Sequence, residues 1–409
     1  MKKIFSPYTL FILQIIKMTK NKRFPSLKKG VTHISSIVIW MIYAPILLEA
    51  QTIQTAEVDF PILNGKMALK GVISQSKNTQ IGAPILVLVS PPQPFNRNYG
   101  GFFKALSDTL NKHGFVTFRY DNRNFSDTTT TKPCDGRYTM HDGADDLHDA
   151  LTFLKKQNRP IGLVGHSEGG SISIIEAARN KEVKFLLLLS TSGIPGEQFS
   201  YSQSVARFAP WLDRLPPQET NLIKYGIYYP IHILANNPNN KIAFSKLRAE
   251  ARRFYKENHN FSFHGFNNGN YSETLFGKLN EDEYVEKTIE QWTKNARSLA
   301  FMRYNPADFI PTIKCPVFIA YPQNDNLMRY KENQENLERI LMDNRHFDYQ
   351  SIVIDSVTHT FENSGGIDLP IYVSVHRKYK HFLPGNGFMK LCKHMIDWIE
   401  NKTQINNKM

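Results

Sequence analysis

At 409 residues, with 41% hydrophobic, 21% charged and 12% aromatic side chains, the chain has the composition of a folded protein with a substantial core, which sets disorder aside. Length alone allows one domain carrying an insertion, or two small domains. The net charge of +13 raises nucleic acid as a partner. More than half of that excess lies in residues 1–50, where Lys2, Lys3, Lys17, Lys20, Lys22, Arg23, Lys28 and Lys29 face Glu49 alone. The rest is spread thinly, with no basic helical run and no zinc-finger spacing, so no nucleic-acid partner is expected.

Cys134, Cys315 and Cys392 are three, far apart, and make neither a metal motif nor a disulfide framework. No metal and no cofactor is expected. Cys315 opens an apolar run and reads as a small core residue. Whether Cys134 and Cys392 meet is left open.

Residues 1–50 read as targeting. Ile4 to Ile16 is mainly apolar, Lys17 to Lys29 is basic, and Val31 to Leu48 is apolar without a formal charge, followed by Glu49-Ala50-Gln51. From Met18 onward this is the order of a secretory signal: basic region, apolar core, small residue. The expectation is a start at Met18, cleavage after Ala50 and a secreted or periplasmic mature chain. The rival is a retained anchor, since Val31 to Leu48 is barely long enough to span a bilayer. Only then is a membrane a partner.

Thr55 to Ser74 alternates apolar and polar about Asn64-Gly65, a hairpin signal. Pro84 to Val89 is a continuous apolar run suited to a strand buried on both faces. Gly101 to His113 has helical spacing, with Phe102, Leu106 and Leu110 on one side. Phe115 to Tyr120 is the next strand. Asp142 to Lys156 is helical, with Leu147, Leu151 and Leu154 on a face. A strand at Ile161–Val164 runs into a glycine-rich turn, then a helix over Ser171 to Arg179 and a strand over Val183 to Leu189. Strands alternate with helices at βαβ spacing, so the fold class is α/β, a mostly parallel sheet covered on both faces.

From Gly193 to Ala307 the rhythm breaks. Pro210, Pro216, Pro217, Pro230 and Pro238 punctuate it, and helical stretches stand near Asn240–Glu257 and Glu281–Tyr304. Residues 193–307 are read as a helical lid inserted into a core of residues 51–192 and 308–409. The sheet resumes at Pro316 to Tyr321. A helix follows over Tyr330 to Met342, a strand over Tyr349 to Ile354, and a last helix over Gly387 to Asn401.

The turn after Ile161–Val164 is Gly165-His166-Ser167-Glu168-Gly169-Gly170. A serine at the apex of a strand-to-helix elbow holds its hydroxyl clear of the surface, beside backbone N–H groups at a helix start. A bare G-x-S-x-G also arises in ordinary α/β turns, so the setting decides. A nucleophilic serine needs a base, and the base an orienting acid. Asp325 directly follows the strand Pro316–Tyr321, and His359 directly follows Tyr349–Ile354. Ligands gather at such carboxyl ends, and Ser, Asp, His is the order of the α/β-hydrolase arrangement. Bland readings stand beside each. Asp325 within Asn-Asp-Asn could cap a turn, Asp355 is a second-choice acid, and His376 and His381 compete with His359. His166 is expected to pack beside the site. Glu168 is the first oxyanion donor through its N–H. Pro91 and Pro92 have no N–H, so Gln93 is the nearest second donor in the loop after Pro84–Val89.

On these residues the chain resembles the α/β-hydrolase superfamily, near the bacterial serine esterases with a Gly-His-Ser-Glu-Gly-Gly elbow, the dienelactone hydrolases and the serine aminopeptidase-like hydrolases. The resemblance covers roughly residues 55–403. It rests on Phe118 to Arg123, Gly165 to Gly170, Asn305-Pro306 with Ile313 to Ala320, and Asn324-Asp325 with His359. It implies a serine hydrolase without cofactor, acting on esters, sometimes amides or thioesters, with Ser167 as nucleophile, Asp325 as acid and His359 as base. Two departures stand out: Ser90 to Gln93 replace a Gly/Ser-rich loop, and Asn124 replaces a glycine. The readings are an esterase on a small-molecule ester, a peptidase or amidase on the same triad, or a binding protein on a hydrolase scaffold. Phe208, Trp211, Tyr225, Tyr228 and Tyr229 either line the substrate pocket or form the insertion's own core. Mass-spectrometric mapping of the secreted protein should find Gln51 first; an intact N-terminal segment excludes cleavage.

Overall fold

The computed structural model describes residues 52–93, 95–126, 136–261, 276, 278–363, 382 and 384–406, without the side chains at 124, 126, 207, 210, 211 and 404–406. The targeting segment, Cys134, His376, His381 and the Trp211 side chain therefore lie outside the described residues. Eight strands form one sheet in the order β1-β2-β4-β3-β5-β6-β7-β8. They are β1 (Ile53–Ile62), β2 (Met67–Ser76), β3 (Ile85–Val89), β4 (Val116–Tyr120), β5 (Ile161–His166), β6 (Val183–Leu189), β7 (Val317–Pro322) and β8 (Tyr349–Ile354). β2 pairs antiparallel with β1 and β4, and every pairing from β4 through to β8 is parallel. The hairpin turns where the pattern placed it. Leu63, Asn64 and Gly65 take positive φ (52°, 55° and 82°), the backbone that Asn-Gly tolerates.

The five-residue run of β3 is buried throughout because its two faces feed two cores. Ile85, Val87 and Val89 pack on one side and Leu86 and Leu88 on the other. On the second face lie α1 (Phe102–Lys112), through Phe102, Leu106 and Leu110, and the terminal helix α10 (Asn386–Asn406), through Phe388, Leu391 and Met395. On the first face lie α2 (Met140–Leu154), α3 (Glu168–Arg179) and α9 (Tyr330–Asp343). A capping box at Thr139 and Asp142 starts α2 two residues earlier than the apolar spacing indicates. α3 starts at Glu168, not Ser171, because the glycines of the turn are its first residues.

Between β6 and β7 the described residues include the α-helices α4 (Gly196–Leu212), α5 (Pro217–Ala235), α6 (Asn240–Asn258), α7 (Glu281–Thr293) and α8 (Ala296–Met302). Pro216 and Pro238 stand in the short links on either side of α5. Pro217 sits at the first turn of α5, where its missing N–H is harmless, and Pro230 is held within that helix. The expected continuous helix over Glu281–Tyr304 is two, because Asn295 leaves helical geometry and its side chain accepts from Ser298 N, capping α8. Tyr229, Leu247 and Phe254 centre a third apolar core, so these helices carry a core of their own. Among the described residues no helix is long and apolar enough to cross a membrane.

Close packing is strictest where β5 meets α3. A Cβ on Gly165 would stand 2.5 Å from Gly170 Cα, and one on Gly169 would stand 2.1 Å from the Val89 carbonyl oxygen. Both obstacles are backbone, which cannot swing aside. Gly169→Ala should therefore cost at least about 2 kcal/mol of unfolding free energy, read as a lowered urea midpoint; an unchanged midpoint means that β3 yields easily.

Candidate active site

The parallel register brings the ends of β5, β6, β7 and β8 to one rim. His166 pairs with Leu189, Leu189 with Ala320, and Ala320 with Ile352. Past the ends, Ser167 N–H donates to Leu189 O at 2.9 Å and Ser190 N–H to Ala320 O at 2.8 Å. The loops that carry Ser167, Ser190, Asp325 and His359 thus leave the sheet along one rim.

Ser167 stands at φ 57°, ψ −130°, a region closed to most side-chain-bearing residues. The turn is held in it by two backbone bonds, Ser167 N–H to Leu189 O and Gly170 N–H to Ser167 O at 2.9 Å. This is the strained strand-to-helix elbow that lifts a hydroxyl out of the sheet edge. Glu168 opens α3, where first-turn N–H groups have no acceptor inside the helix and point at any negative charge placed there.

Asp325 and His359, 34 residues apart, meet directly. His359 Nδ1–H donates to Asp325 Oδ2 at 2.8 Å, the arrangement in which a neutral imidazole carries its lone pair on Nε2. Asp325 Oδ1 accepts from Leu327 N–H and Met328 N–H, each at 2.9 Å. Burial pushes the Asp325 carboxyl up, but the His359 charge and the hydrogen bonds from His359, Ser190 and Met328 outweigh it, so the group titrates below the usual carboxylate range. Asp355, the second-choice acid, is exposed and faces Lys390 at 3.7 Å, away from this pair.

His166 links the elbow to the histidine loop. Its ring lies against that of His359, centroids 4.7 Å apart, and its Nε2–H donates to the His359 carbonyl oxygen at 2.8 Å. The Tyr99 hydroxyl lies 3.2 Å from Nδ1 and donates to it. Burial first, then the nearby His359 charge, pushes the His166 imidazole down to about 3, so it stays neutral and holds the backbone beside it. Among the described residues, the hydrogen bonds of His359 run to Asp325, Ser190 and His166, and none joins it to the Ser167 hydroxyl. Such a bond commonly tightens only around substrate.

Two residues of this cluster escape sequence reasoning. Ser190, buried and at φ 51°, donates its hydroxyl to Asp325 Oδ2 and lies 3.0 Å from His359 Nδ1. The signal was present: Ser190-Thr191-Ser192 is a polar triplet ending a strand of leucines. Asn122, after β4, donates its amide to the carbonyls of Pro91 and Gln93, each at 2.6 Å, and so shapes the proline loop. In that loop the Gln93 N–H donates to Pro91 O at 2.8 Å, so the candidate second oxyanion donor is already engaged in a tight turn. A proline pair forces the turn that the sequence reading took to expose this N–H.

A family model for the alpha/beta hydrolase fold matches residues 94–359. The chain belongs to that family. The chain is also similar, at low identity, to several solved structures. A thermophilic esterase from Thermogutta terrifontis is 17% identical, with 85% of this chain and 99% of that one covered and a TM-score of 0.44. Proline iminopeptidase from Mycobacterium smegmatis is 12% identical, with 86% and 100% covered and a TM-score of 0.47. A putative dienelactone hydrolase from Klebsiella pneumoniae subsp. pneumoniae is 10% identical, with 85% and 98% covered and a TM-score of 0.46. No curated protein matches the chain. Among the described residues of this hydrolase-fold chain, no group of three or more His, Cys, Asp and Glu could hold a metal ion. Cys392 is free and buried, and burial pushes its thiol up to about 12.

The depressed His166 group has a stability consequence. Between about pH 6.5 and 3 the unfolded chain binds a proton at this imidazole and the folded chain does not, so stability falls with acidification by up to about 1.4 kcal/mol per pH unit. Asp325 has a depressed carboxyl, so its contribution is lost only below about pH 4. Urea unfolding at pH 7 and pH 5 therefore isolates the histidine. The native protein should lose about 2 kcal/mol more than His166→Asn over that interval; equal losses mean that His166 is protonated in the fold.

Proposed function

We propose that this chain is a serine hydrolase, a secreted carboxylic-ester hydrolase that works through Ser167, His359 and Asp325 and an acyl-enzyme. The observation that carries the reading is the buried Asp325–His359 hydrogen bond, with the His359 loop hydrogen-bonded to the residue preceding a serine in elbow geometry. A lone capping aspartate or a surface loop histidine has no need of the other, nor of a desolvated seat on the rim of the sheet.

In this reading His359 Nε2 takes the Ser167 proton as Oγ attacks the ester carbonyl carbon. Asp325, ionised and acceptor-only at Oδ2, holds the imidazole in the right tautomer and offsets the charge it gains. The Glu168 N–H, at the positive end of α3, donates to the developing oxyanion. Collapse expels the alcohol, which takes the proton from His359. Water then enters and gives a proton to His359 as its oxygen attacks the acyl carbon; His359 returns that proton to Ser167 Oγ as the C–Oγ bond breaks and the acid leaves. A second oxyanion donor requires the Gln93 N–H to leave Pro91 O.

The aromatic residues of the insert divide in role. Tyr229 and Phe208 belong to its core, and Tyr225 lies on the outside, donating its hydroxyl to Glu250 at 2.7 Å. A fluorophosphonate probe should label the protein, and Ser167→Ala should abolish the label while leaving the thermal midpoint within a few degrees. A p-nitrophenyl ester series should be turned over faster than aminoacyl anilides. Activity confined to anilides makes the protein a peptidase or amidase, and an unlabelled native protein makes it a binding protein on a hydrolase scaffold.

A further inference from the structure

Glu168 presents a physical problem for the proposed chemistry. Its N–H is the oxyanion donor, yet its side chain is a buried carboxylate, 8% exposed, on the same residue. A fixed negative charge there opposes the negative charge that develops on the substrate oxygen, and low local dielectric makes that opposition strong. Something must compensate it.

The compensation comes from the insert. Arg297, in the first turn of α8, pairs through Nη2 with Glu168 Oε2 across 129 residues of sequence. With its amide oxygen turned toward the guanidinium, Gln93 accepts from Nη2 at 2.8 Å and from Nη1 at 3.3 Å. One cation thus touches the residue after Ser167 and the loop that flanks the oxyanion position from β3. The arginine is held firmly: its own N–H donates to Gly136 O at 2.8 Å, and Asn295 caps its helix. Glu168 Oε1 and Arg297 Nε have no hydrogen-bond partner among the described residues and are sealed from solvent. An ion pair with unsatisfied atoms on both partners is a poor device for stability. It is a suitable one for fixing charge.

We propose that Arg297 is a charge-compensating positioning residue, which reaches from the inserted helices to neutralise Glu168 and pin Gln93, so that transition-state charge develops in a locally neutral site. The inference rests on the hydrolase reading above and adds a substrate class to it: uncharged acyl esters. An unpaired arginine in this place would attract a carboxylate-bearing ester; a paired one does not.

The test is a charge cycle on Arg297→Gln, Arg297→Lys, Glu168→Gln and the Glu168→Gln/Arg297→Gln double variant, with p-nitrophenyl acetate as the neutral ester and p-nitrophenyl hemisuccinate as the anionic one. Arg297→Gln should lose about 10- to 100-fold in kcat on the neutral ester, with KM changed less than about threefold, because the uncompensated carboxylate acts on the transition state. The double variant should recover at least about tenfold of that loss, and Arg297→Lys should keep most of the native kcat. Glu168→Gln alone should shift kcat/KM toward the anionic ester by about fivefold or more. That arm, together with Arg297→Lys, still decides the matter where Arg297→Gln fails to fold. Native kcat in Arg297→Gln, a double variant no faster than Arg297→Gln, or an unshifted ester preference in Glu168→Gln overturns the proposal. Native protein that neither takes the fluorophosphonate label nor turns over either ester overturns the hydrolase reading instead, and this inference with it.

Discussion

The hydrogen bond from His359 Nδ1 to Asp325 Oδ2 is the interaction that the surrounding residues are arranged to keep. Burying a carboxylate costs several kcal/mol unless its lone pairs are filled. Here Oδ1 takes two backbone N–H groups and Oδ2 takes the imidazole and the Ser190 hydroxyl. Each donor comes from a loop at the carboxyl end of a sheet strand, so the pair exists only because β6, β7 and β8 run parallel and in register. The sheet is therefore more than a scaffold for the candidate site. Its pairing pattern brings the donors together.

A second layer of constraint joins that pair to the elbow. His166 is neutral, donates to the carbonyl of His359 and receives the Tyr99 hydroxyl, so the serine turn and the histidine loop share one buried imidazole. Strain at Ser167 is paired with close packing at Gly165 and Gly169, where no side chain fits. Strained backbone persists only where its surroundings over-determine it, and here they do so from two sides.

The inserted helices belong to the same system. Their core of Tyr229, Leu247, Phe254 and neighbours is distinct from the two cores flanking the sheet. Arg297 nevertheless reaches from α8 to Glu168 and Gln93, so the position of these helices and the charge beside the elbow are coupled. A residue family built on one sheet rim thereby acquires a member from another part of the chain.

Much of this was legible in the amino-acid order because it is local. Apolar runs of five to seven residues, turn chemistry at Asn64-Gly65 and glycines in the elbow determine strands, hairpin and strand-to-helix turn through short-range sterics. The α/β alternation then limits the sheet to a mainly parallel one, and the positions of Asp325 and His359 just past strands follow from it. What only the tertiary structure decided is what meets across distance. Ser190 on the acid, Asn122 strapping the proline loop, the Gln93 N–H turned to Pro91 and Arg297 on Glu168 depend on groups separated by up to 135 residues. No periodicity encodes such meetings, since they arise from how strand ends align and where inserted helices settle, and both are set by packing of the whole chain.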